Sequence, residues 1–229
     1  APTRPPIRRD GLEAKDSLVT SKKFIDQIHQ AVKKSFLEIN QDLIITPPLG
    51  KTKPELKAEG FIKGKDQDIT IHLRNKSDDD LPLLINVRSQ MSSLEKNYDT
   101  ILERAFAENV NLRFKKNYVL GEVFLIPQKE LDEQACKRNE VKFKNKLVNF
   151  NKYFNSYNKV NNRPNLDQSK DNFWKYDKVC VLVVDFEKIP PKLVTDFNND
   201  ELNREYQSLS FEEFAPIILR LYKKTINAD

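Results

Sequence analysis

Glycine is scarce in this sequence, with 5 in 229 residues; cysteine and histidine occur twice each, and methionine and tryptophan once each. So few glycines form neither of the common phosphate-cradling loops. The shortage of histidine and cysteine leaves too few ligands for a side-chain zinc site. A Ser-His-Asp hydrolase would need His29 or His72, and neither stands in a nucleophile-elbow context; both are expected to be structural or exposed. Cys136 and Cys180 lie far apart and suit a reducing, cytoplasmic setting better than a disulfide scaffold. No stretch approaches the ~20 apolar residues needed to cross a bilayer, so no membrane association is expected. The segment APTRPPIRRD is basic but lacks the apolar core of a secretion signal.

What is present is ample material for a core. Hydrophobic residues make up 38% of the chain, including 14 Phe and 7 Tyr, and the length suits one domain of good size. The formal charge is +5. Lysine (28) outnumbers arginine (11) and asparagine reaches 21, the bias of an AT-rich genome, so where the charge falls matters more than its amount.

Residues 1–16, rich in Pro and Arg, read as a flexible basic arm. Phe24, Ile28, Val32 and Phe36 recur every four residues and predict an amphipathic helix from Ser21 to about Ile39. Short strands are expected at Gly60–Gly64, Asp68–Leu73 and Leu83–Arg88, with Asp78, Asp79 and Asp80 in a solvated turn between the last two. Ser92 and Glu95 match a capping box that starts a second helix, whose buried stripe is Leu94, Tyr98, Ile101, Ala105 and Leu112. Glu103, Arg104 and Glu108 read as surface charges of that helix. A strand over 119–126 and the apolar run 179–186 follow. Between them Phe143, Leu147, Phe150, Phe154 and Tyr157 suggest a helix over about 140–160, then a polar loop over 161–172; Ser210 and Glu213 open a final helix. The expectation is an α/β fold with a mixed central sheet flanked by helices.

Chemistry is best sought where Asp68 opens one strand and Asn86-Val87-Arg88 lies on the next. Positions 86 and 88 have the same parity, so both side chains leave one face of the sheet. An acid beside that pair suits a divalent ion held by oxygen ligands, with a cation nearby to stabilise charge on a phosphate.

On these residues, and on the helix–strand–strand–strand–helix–strand order, roughly residues 20–126 resemble the PD-(D/E)XK nuclease superfamily in its restriction-endonuclease-like form. Asp68 matches the motif's first Asp, with Gln67 in place of Pro, and Asn86-Val87-Arg88 falls where the acid-x-Lys tripeptide belongs. The resemblance implies an αβββαβ core within one nuclease-like domain over 17–229. It also implies Mg²⁺ at Asp68 and Asn86, charge stabilisation by Arg88 or Lys96, and a homodimer cutting duplex DNA at specific sites. Two departures stand out. Asn86 is a neutral amide in place of a carboxylate, and Arg88 stays protonated and cannot act as a base. Three explanations stay open: a recruited acid such as Glu38 or Glu122, an inactivating Asp→Asn replacement at 86, or a non-cutting relative.

The charge is concentrated at 137–160, where Lys137, Arg138, Lys142, Lys144, Lys146, Lys152 and Lys159 face the single acid Glu140. Lys142, Lys144, Lys146 and Lys152 are therefore the expected phosphate contacts, within a DNA-binding region of about 137–172. The rival expectation is a non-catalytic nucleic-acid-binding protein on the same scaffold.

Overall fold

Helix α1 (Lys22–Ile39) opens the computed structural model, which describes residues 22–74, 81–138, 140–163 and 172–226. It is followed by β1 (Leu43–Thr46), β2 (Leu56–Ala58), β3 (Lys65–Gln67), β4 (Ile69–Leu73), β5 (Leu83–Ser89), α2 (Leu94–Lys115) and β6 (Val119–Pro127). Then come β7 (Lys129–Leu131), α3 (Glu133–Lys137), β8 (Phe143–Leu147), α4 (Phe150–Val160), β9 (Lys178–Asp185), β10 (Lys192–Leu193), α5 (Asp200–Gln207) and α6 (Phe211–Ile226). The arm at 1–16, the aspartate turn at 78–80 and most of the loop at 161–172 lie outside the described residues.

Six strands form the central sheet in the order β1-β4-β5-β6-β9-β10. Strands β1, β4 and β5 pair antiparallel, whereas β5–β6 and β6–β9 pair parallel. The parallel pairs need crossover connections, and α2 supplies the one from β5 to β6. Strand β5 is buried from Leu83 to Val87 and every residue of β6 is buried, as central strands covered on both faces must be.

Each face of the sheet carries its own core. On one, Ile28, Val32 and Phe36 of α1 and Phe214, Ile218 and Tyr222 of α6 pack over Ile69, Ile71, Ile85 and Val123. Helix α6 lies so close that a Cβ at Gly121 would come within 2.8 Å of Ile218. On the other face, Leu94, Ala105 and Leu112 of α2 and Phe150, Phe154 and Tyr157 of α4 cover Leu84, Leu120 and Phe124. The four-residue spacing in α1 and the expected stripe of α2 thus face the sheet. Within the central sheet the order is αβββαβ, the three strands before α2 being β1, β4 and β5; β2 and β3 are inserted between the first two.

Three local expectations are corrected. Residues 60–64 form no strand but the loop between β2 and β3, which pair in a separate two-stranded sheet. The region 140–160 is not one helix: Phe143–Leu147 pairs with β7, and α4 begins at Phe150, where the Asn149 side chain accepts the Lys152 N–H. Helix α2 has no capping box. Ser93 sits at φ 53° without a side-chain cap, and Glu130 from β7 accepts the Leu94 N–H at 3.0 Å. A carboxylate brought by tertiary packing has taken over what a Ser–Glu pair would do locally.

Candidate active site

Strand pairing sets the geometry of the candidate site. Ile69 of β4 lies opposite Ile85, so Asp68, one residue before β4, arrives beside the Asn86-Val87 step. Its side chain takes over where the ladder stops: Oδ2 accepts the Val87 N–H at 2.7 Å. Across the parallel pair Asn86 lies opposite Glu122 of β6. Asn86 and Arg88 leave the sheet on the α2 side, as their shared parity requires.

There they meet Glu108, which the sequence places at the helix surface and the structure buries. Asn86 Nδ2 donates to Glu108 Oε1 at 2.8 Å, while Arg88 Nη2 and Lys65 Nζ both donate to Glu108 Oε2. Arg88 Nε lies 2.8 Å from Glu122 Oε1, but its N–H is not aimed at that oxygen, and neither Glu122 oxygen has a hydrogen-bond donor. Arg88 is thus wedged between two buried carboxylates and held well above the usual guanidinium range by Glu122 and Glu108, against the opposing pull of burial. Its side chain is 25% exposed and that of Lys65 38%. The cluster is therefore basic toward solvent and acidic beneath.

Burial pushes the Asp68 carboxyl above its ordinary value, opposed by the Val87 N–H and by His29. His29 is itself buried, and neither ring nitrogen has a hydrogen-bond partner. Burial holds its pKa below the usual value, so the ring is a neutral imidazole at neutral pH. His29 has joined the neighbourhood of the site rather than the surface.

Burial pushes Glu122 furthest, up to about 8, with Arg88 opposing and Glu108 and Asp68 adding to the rise. The folded state then holds a proton that the unfolded chain, with its ordinary value of 4.5, has released over the intervening pH range. This group's contribution to stability is full below the unfolded value and falls as pH climbs to the folded one. Glu122→Gln cannot ionise, so it is expected to flatten that decline and, in EDTA at about pH 9, to be more stable than the wild type in urea unfolding. An unchanged slope between about pH 5 and 9 would show that Glu122 is ionised throughout.

The remaining expected residues divide. Glu38 is exposed and belongs to no contact of the cluster. Lys96 is also exposed, about 18 Å before Glu108 along α2, and lines a surface recess with Ser93, Glu95, Glu130 and Lys144. Lys142, Lys144 and Lys146 alternate along and just before β8, so their side chains share one face of the β7–β8 hairpin. Lys144 pairs with Glu130 and Lys142 with Glu140 at 2.5 Å, while Lys152 stands 3.7 Å from the Tyr98 ring centre. Several asparagines of this region are structural: Asn158 bonds Glu205 O, and Asn161 bonds both Ser208 O and Val179 N.

The signal for Glu108 was within reach. The buried stripe 94, 98, 101, 105 and 112 steps by four and three except for one gap, and 108 fills it. Both cysteines are buried and neither forms a disulfide. Among the described residues no helix is long and apolar enough to cross a membrane, and no three His, Cys, Asp or Glu side chains stand close enough to hold a metal ion. No family model matches the chain, and neither a curated protein nor a solved structure gives a significant match.

Proposed function

We propose that this chain is a Mg²⁺-dependent endonuclease of restriction type that hydrolyses duplex DNA, with a variant of the PD-(D/E)XK arrangement. The observation that carries the reading is Arg88 set between the buried carboxyls of Glu108 and Glu122, with Asp68 bound to the adjoining Val87 N–H, on the pair of strands where the family resemblance leads one to expect such a site. The donors are hard carboxylate oxygens, the class that Mg²⁺ prefers. Glu122 brings two buried oxygens that no hydrogen-bond donor satisfies. Mg²⁺ usually takes one or two protein carboxylates and leaves the rest of its shell to water and phosphate oxygens, so a three-acid cage is not required. Asp68, with the Asn86 carbonyl or Glu122, would hold the ion. When bound, the ion supplies charge neutralisation at the scissile phosphate and a more acidic water.

The chain's own groups have separable tasks. Lys65 and Arg88, the solvent-facing cations, bind the phosphate, and Arg88 stabilises charge as it builds there. Glu108 orients Lys65, Arg88 and Asn86 together. The Asn86 amide donates to Glu108, whereas a carboxylate at 86 would face Glu108 with like charge. This favours an asparagine that belongs to the network over an inactivating replacement. Lys142, Lys144, Lys146 and Lys152 serve DNA phosphates further along. Cutting both strands of a symmetric site suits a homodimer, and two cysteines kept as thiols suit the cytoplasm.

The test is plasmid cleavage in Mg²⁺. Asp68→Ala is expected to slow cutting at least about 100-fold. Asp68→Asn, which keeps an acceptor for the Val87 N–H but loses the charge, should do the same. An inactive wild type, or full activity in both variants, would remove the proposal. One feature favours the second reading, a non-catalytic binder: Arg88 and Lys65 already occupy Glu108, and burial holds the Glu122 carboxyl protonated. That reading requires metal-independent DNA binding with a steep salt slope and no hydrolysis.

A further inference from the structure

The loop between β2 and β3 presents Phe61 and Ile62 to solvent, 68% and 83% exposed, although both are large and apolar. Isolated exposed apolar residues are ordinary, but this pair is held in place. Asn111 of α2 clamps the loop on three sides: Phe61 N–H donates to Asn111 O at 2.8 Å, Ile62 N–H to Asn111 Oδ1 at 2.8 Å, and Asn111 Nδ2 to Lys63 O at 2.9 Å. The fit is so close that a Cβ at Gly60 would meet Asn111 Nδ2 and Lys63 O at 2.2 Å, so only glycine suits that position. Phe61 is backed by Phe114 at 5.7 Å between ring centres, and Phe114 in turn by Phe173 at 4.5 Å. A loop free to fold its apolar tip inward would have done so; this one is braced outward.

Its surroundings indicate what it meets. The same hairpin runs from the tip to Lys65, which binds Glu108 in the candidate site. Lys65 follows Phe61 by four positions, a span of at most about 14 Å, or about four base-pair steps. Lys57 and Lys63 lie on the hairpin and Lys115 and Lys116 at the end of α2. The nearby acid Glu59 is already matched by the latter two at 3.9 and 3.5 Å. A narrow, convex, rigid apolar tip between lysines matches the wedges that proteins insert between DNA base steps.

Resting on the DNA reading of the site, we propose that Phe61 and Ile62 form a wedge that enters duplex DNA beside the bound phosphate and unstacks a base step there. The β2–β3 hairpin thereby couples distortion of the duplex to Lys65 and Arg88. Both side chains are so exposed that removing them should leave the fold intact.

The test uses closed circular plasmid with Ca²⁺ in place of Mg²⁺, relaxed by a topoisomerase while the protein is bound. Wild type is expected to shift the topoisomer distribution in the direction of unwinding. The double variant Phe61→Ala/Ile62→Ala is expected to lose the shift and bind at least about tenfold more weakly, with an unchanged salt slope because no phosphate contact is lost. Wild-type binding without a shift, or a shift retained by the variant, would overturn the wedge while leaving the DNA reading in place. So would a variant whose only change is loss of self-association in sedimentation, since the tip would then be a contact with a second copy. If wild type binds no plasmid at all, both readings fall together.

Discussion

Asp177→Ala is expected to cost about 5 kcal/mol of folding stability. Asp177 is wholly buried just before β9, and three donors converge on it. Arg113 Nη2 and the Leu120 N–H donate to Oδ2 at 2.6 and 2.7 Å, and Arg163 Nε donates to Oδ1 at 3.0 Å. Both guanidinium groups are themselves buried, and burial pulls Arg113 down from its usual range even with Asp177 beside it. Alanine would leave two enclosed cations and a backbone N–H without their acceptor. Removing one partner of a buried pair costs about 3–5 kcal/mol, and here two guanidinium groups lose the same carboxylate. Asp177→Asn keeps one acceptor and should cost about half as much. Urea unfolding of the two variants decides the point. A loss under about 1 kcal/mol for alanine would mean that water reaches the guanidinium groups and solvates them.

Glu108→Ala comes second, at about 4 kcal/mol. The loss differs in kind, because the donors left behind are unequal. Lys65 is 38% exposed and turns to solvent at little cost, and Asn86 loses one hydrogen bond. Arg88 keeps Glu122 but loses the partner to which its Nη2 is aimed. The expected signature is therefore double: a lower midpoint in denaturant, and failure of cleavage even at temperatures where the variant is folded, because Arg88 and Lys65 are no longer held together. Glu108→Gln should recover part of the stability, since an amide oxygen can still accept, but not the activity. Full cleavage by folded Glu108→Ala would show that the cluster serves the fold alone.

The parts of the fold that could be read from the chain are those whose periodicity is interrupted by nothing else. Ile28, Val32 and Phe36 reach the core where their spacing points, and Asn86 and Arg88 share a face because strand parity leaves no choice. Misreadings arose where one pattern has two physical origins. Phe143, Leu147, Phe150, Phe154 and Tyr157 step like a helix, yet the first two lie on a strand, and Leu147 is 50% exposed. Phe61 and Ile62 looked like strand residues because they are apolar, and nothing local says that a hairpin tip will be braced outward. Leu43–Thr46 gives no strand signal in the sequence, because four residues squeezed between a helix and Pro47-Pro48 carry too little alternation. Glu108 was misplaced for a different reason. Charge on a helix ordinarily marks its wet side, and only the partners Asn86, Arg88 and Lys65, 20 to 43 residues away in sequence, reverse that.

One stretch of α2 serves three separate purposes within two turns. Glu108 gathers Lys65 and Arg88, Arg113 reaches the Asp177 anchor while donating to Asn109, and Asn111 grips the hairpin loop. These contacts radiate from one short rod in different directions, so none can be released without straining the others. Such a hub does not loosen piecemeal: its amides should exchange with solvent only when the whole molecule opens.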